Sequence, residues 1–84
     1  MKKTVKNMND FVESTIRGFS RTLELAKEDG WTFTQMMDSL DLDHNLCLGA
    51  LIYGNIYDGG IDDETFHSMR DRLHEAKWEV IRNF

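Results

Sequence analysis

The chain has 84 residues, a formal net charge of −5, no proline and a single cysteine. That length suits one domain with a small core and leaves little room for an elaborate catalytic cleft. No stretch approaches the roughly 20 apolar residues of a membrane span, the opening MKKTVKNMND lacks the apolar run of a secretory signal, and the lone Cys47 has no internal partner, so a cytoplasmic protein is expected.

The charge is unevenly spread. Residues 1–27 hold six basic side chains against three acids, and residues 70–84 hold four against three. Residues 28–69 hold no Lys or Arg and nine acids. A negative field of that kind attracts basic proteins and repels nucleic acid.

The first helix is expected from Asn9 to Asp29. Val12, Ile16, Phe19, Leu23 and Ala26 alternate spacings of four and three, which lines one helix face, and Phe11 and Leu25 widen the stripe. Gly30 is a fitting stop. Gly18 in mid-helix costs about 1 kcal/mol against Ala, which implies close approach by another helix. A short second helix follows over Phe33–Leu40. Thr32 and Gln35 have the spacing of a capping box, and Trp31 and Met36 that of a hydrophobic staple.

The segment Asp43–Tyr57, DHNLCLGALIYGNIY, is apolar almost all round and reads as a buried third helix capped by Asp41 or Asp43. A hairpin turning at Gly54-Asn55 is the rival, but only Ile56 and Tyr57 remain for its second strand. The fourth helix runs from Asp63 to about Arg82, with Phe66, Met69, Leu73, Ala76 and Val80 on one face. The expected fold is all-α, a small compact bundle of four helices with the second one short.

YDGGIDDETF, residues 57–66, looks like the back half of an EF-hand loop. With Gly59 at loop position 6, Asp58 and Ile61 fit, but Gly54, Ile56 and Thr65 stand where three ligands belong. Asp41, Asp43 and Asn45 supply front ligands without the central Gly or the closing Glu. The stretch reads better as a helix start: Gly59-Gly60 turn the chain, Asp62 caps, Asp63 and Glu64 sit in the first turn, and Ile61 and Phe66 form a second staple. His67, Asp71 and His74 share one side of the fourth helix, but the two histidines lie two turns, about 10 Å, apart. No metal and no cofactor are expected.

Thr32–Gly54 has the outline of a helix-turn-helix with its turn at Asp41. Its second helix, however, presents Leu46, Leu48, Leu51, Ile52 and Tyr53 and no basic residue, so direct nucleic-acid binding is disfavoured. Cys47 in its apolar run reads as an inert buried thiol. Ser14, Ser20 and Ser39 have no neighbouring His, no phosphate-binding loop is present, and no enzymatic activity is expected.

What remains is a protein-interaction module. Asp38, Asp41, Asp43, Asp58, Asp62, Asp63 and Glu64 would steer it onto a basic surface, with Tyr57 or Trp78 as aromatic anchor. Trp78 either joins Arg70, His74 and Ile81 in an exposed patch or packs on Val5 or Met8. Basic surfaces belong mostly to nucleic-acid-handling proteins. The expected function is therefore a nucleic-acid mimic, a phage-type inhibitor that blocks a host nuclease or defence complex. The alternatives are a helix-turn-helix regulator and a homodimer paired through the apolar third helix or the Trp78 face.

Overall fold

The computed structural model describes residues 2–84, with side chains from Val5 onward. It is all-α and contains three long helices, not four: α1 over Lys2–Asp29, α2 over Phe33–Tyr53 and α3 over Asp63–Arg82. A five-residue π-helical turn, Gly54–Asp58, continues α2.

α1 starts seven residues earlier than its apolar stripe suggests, and Val5 and Met8 extend the packed face. Val12, Phe19 and Ala26 are buried along it, with Thr15 and Thr22 beside them. The Thr15 hydroxyl donates to the Phe11 carbonyl at 2.9 Å, so its burial leaves no unmet polar group. Gly30, at φ 68°, ends the helix, and the Trp31 N–H reaches back to the Ala26 carbonyl at 2.9 Å, the long bond of a Schellman stop.

The expected second and third helices are one. The Thr32 capping box is present: Gln35 N–H donates to the Thr32 hydroxyl at 3.1 Å and Thr32 N–H to the Gln35 side chain at 2.8 Å. From there the helix runs unbroken through Asp41-Leu42-Asp43, so neither aspartate is a cap and no helix-turn-helix angle separates the two halves. The reason is visible in the buried residues Met36, Leu40, His44, Cys47 and Leu51. Their spacings of four and three carry one core face straight across the supposed turn. His44 fills a position of that stripe that an apolar count passes over.

The hairpin alternative at Gly54 is also absent, for a steric reason. Ile61 folds back over the helix end, and its N–H donates to the Gly54 carbonyl at 3.3 Å. A Cβ on Gly54 would stand 2.6 Å from Ile61 Cδ1. Gly59, at φ 70°, then turns the chain. The Asn55 side-chain amide closes the loop by donating to the Ile61 carbonyl at 2.9 Å and to the Asp63 carboxylate at 3.0 Å. Asp62 caps α3, accepting from Thr65 N–H at 2.7 Å, as its sequence position implies.

The helices form an up-down-up bundle measuring 43 × 17 × 16 Å. α2 lies antiparallel to α3: Asp41 pairs with Lys77 at 2.7 Å, His44 meets His74, and Phe33 packs on Phe84 with ring centroids 5.9 Å apart. α1 runs parallel to α3, tied by Arg72, which pairs with Glu13 and donates to Asn9 at 3.0 Å. The core where the three helices meet consists of Phe19, Met36, Leu40, Leu51, Ile61 and Leu73. Among the described residues no helix is long and apolar enough to cross a membrane.

Candidate interaction surface

The seven acids expected to bind a partner do not share one face. Asp41 is half-buried and held by Lys77. Asp62 is occupied as a cap, and the Thr65 N–H bonding it holds its carboxyl below the usual range. Asp63 receives Asn55. Glu64 lines an open groove with Lys6 and Arg72. Asp38 is exposed on α2, and Asp43 lies half-buried beside Phe11 and Leu46 in a shallow groove between α1 and α2. Asp58, Asp62, Asp63 and Glu64 follow one another in the chain where α2 ends and α3 begins, with Asp58 lining a groove beside Tyr53 and Glu64 a different one beside Lys6 and Arg72.

That end also carries aromatic surface. Tyr57 is 75% exposed on the π-helical turn, with Ile56 exposed beside it. Tyr53, one turn earlier, stacks on Tyr57 at a centroid distance of 5.6 Å and 29° between planes. Stacking holds the two rings in a fixed arrangement, so an anchoring contact would order little side-chain freedom. Tyr53 and Tyr57 are i,i+4 neighbours, the spacing at which side chains meet on one helix face.

Trp78 is 47% exposed on α3. It does not pack on Val5 or Met8: Val5 shares a groove with Met69, and Trp78 lies nine residues, about 13 Å, further along the helix. Nor does it complete an aromatic–Arg patch with its expected neighbours. Arg70 sits over the Phe66 ring at 5.8 Å, and His74 turns toward α2.

The fold uses a histidine that the sequence does not single out, His44. His44 is 5% exposed, and its Nε2 lies 3.4 Å from His74 Nδ1, while its Nδ1 faces the Asn45 amide oxygen at 3.3 Å. The asparagine oxygen fixes the proton on His44 Nδ1, leaving Nε2 to accept from His74. Burial lowers the His44 pKa, and Lys77 and His74 lower it further, against Asn45 and Asp41. His67 and Asp71 stand exposed, away from this pair. Among the described residues no group of three or more metal-ligating side chains gathers. Cys47 is buried, and its surroundings push the thiol pKa up, so it stays protonated and unreactive.

A second exposed apolar region lies on the helix that the sequence offers as a possible homodimer face. Leu42 and Leu46 are each 63% exposed on the outer side of α2. Comparison with known proteins adds no relative to these surfaces: no family model, curated protein or solved structure matches the chain.

Proposed function

We propose that the protein is a non-enzymatic interaction module that presents an aromatic–acidic tip to a basic protein surface. The observation that carries this reading is the stacked, exposed Tyr53–Tyr57 pair, with Asp58 lining a groove beside Tyr53 and further exposed acids following in the chain at Asp62, Asp63 and Glu64. An ordered aromatic supplies contact area, and flanking carboxylates supply steering and choice of partner. A partner of matching chemistry carries Lys or Arg around an apolar pocket. Surfaces of that kind bind nucleic acid, and occupying one would make the protein an inhibitor. The acids of α2 are a weaker basis for docking, because Asp41 is already neutralised by Lys77.

The test is capture of binding proteins from a cell extract with wild type and with a Tyr57→Ala, Asp58→Lys, Glu64→Lys variant, at about 50 and about 500 mM salt. Asp62 is left intact because it caps α3. The reading requires a partner held by wild type at low salt and lost both at high salt and in the variant. A partner held equally by both proteins, or no partner, removes it.

A further inference from the structure

The outer face of the α1–α2 hairpin, which meets the acidic tip only at Tyr53, has an occupant of its own: we propose that it binds a second copy of the same chain. Phe11 and Leu25 on α1 and Leu42, Leu46 and Tyr53 on α2 are all exposed. Their spacing is regular. Phe11, Gly18 and Leu25 recur every seven residues, as do Leu42 with Gly49 and Leu46 with Tyr53. Seven-residue repeats of apolar and small side chains are the pattern that seats one helix on another. Within one molecule nothing is seated there. A Cβ at Gly18 or at Gly49 would meet no atom within 4 Å. Both glycines lower helix propensity, and neither is needed for packing inside the chain; a neighbouring helix brought close across this face supplies the reason.

Charge identifies the neighbour. Groove contacts set Gly18 level with Asp43 and Met8 level with Gly54. A two-fold axis parallel to the bundle keeps those levels and lays α1 of one copy on α2 of the other. Arg17 and Arg21, exposed beside Gly18, then oppose Asp43 and Asp38 of the second copy, and the same pairs repeat on the other side of the axis. α2 has no basic residue of its own to satisfy these acids.

Sedimentation equilibrium of the full chain, from low micromolar to about 500 µM, tests the proposal. Wild type should approach twice its 9.8 kDa mass. Leu42→Glu with Leu46→Glu should raise the dimer Kd by roughly 30-fold or more, the size of a hot-spot loss. Gly49→Leu fills open space in the monomer, so it should stay helical by circular dichroism and still lose the dimer. Arg17→Asp with Arg21→Asp should dissociate it, and adding Asp38→Arg with Asp43→Arg should restore it. A monomer throughout the range overturns the proposal, as does a dimer that any of the first three variants leaves intact. A charge-swapped quadruple variant that stays monomeric overturns the α1-on-α2 pairing. Glu64→Lys, on α3 and outside this face, should leave the dimer unchanged, which separates this result from the fate of the acidic tip.

Discussion

α2 has two apolar faces that look alike in sequence and differ in their physical circumstances. The inner one, Met36, Leu40, Cys47 and Leu51, is removed from water by α1 and α3. The outer one, Leu42, Leu46 and Tyr53, meets solvent. Each inner side chain contributes about 1.5–3 kcal/mol by burial, whereas an outer leucine contributes little to folding and is retained at the risk of aggregation. A helix hydrophobic on every side inside an 84-residue chain exceeds what one small core can absorb. The excess is left facing solvent.

The sharpest way to break this comparison is to truncate one leucine on each face. Leu40→Ala should lower unfolding stability by about 2–5 kcal/mol in urea titrations, and Leu46→Ala in dilute solution by less than about 0.5 kcal/mol. Glycines extend the contrast. Gly54→Ala drives a Cβ into the buried Ile61 side chain and should destabilise by about 1–3 kcal/mol. Gly49→Ala, in open space, should stabilise the dilute monomer by up to about 1 kcal/mol. Thr32→Ala removes the capping box and should cost about 0.5–2 kcal/mol, read as a lower thermal midpoint.

The smallest effect concerns pH. His44 is faced by Asn45, Asp41, Lys77 and His74, and its folded pKa lies below the ordinary 6.5. As pH falls through 6.5 the unfolded chain takes up the proton first, so stability is full above that value and declines toward the lowered folded pKa. Protonating both rings would also set two N–H groups against each other across 3.4 Å. The urea midpoint should therefore drop between about pH 7 and pH 5.5, and His44→Gln should flatten that drop.

Much of this fold is legible in the sequence, and the gaps have definite causes. Both helix starts were readable because Thr32 and Asp62 carry local chemistry that three-dimensional context does not alter. The all-α class followed from spacing. The division of α2 was misread because Asp41 and Asp43 resemble caps, and only the α3 side chain Lys77 shows that Asp41 is bonded sideways. The signal that could have joined the halves was the continuous stripe through His44, with no glycine or proline between Trp31 and Leu48. At the candidate surface, Tyr57 and Trp78 were offered as alternative anchors, and both stand exposed. The apolar helix was named as a possible contact face, but its outer and core sides were not told apart, because an all-round apolar segment does not reveal which side another helix covers. Gly18 was read as a site of close approach by another helix, and no helix of this chain makes that approach.

The central claim is that the outer face of α2 serves contact and not folding. Its most direct test is the urea stability of the Leu42→Glu, Leu46→Glu variant beside wild type, both dilute enough to be monomeric. Curves that coincide within about 0.5 kcal/mol are the predicted result. A loss of about 2 kcal/mol or more would place these leucines in the core and contradict the account.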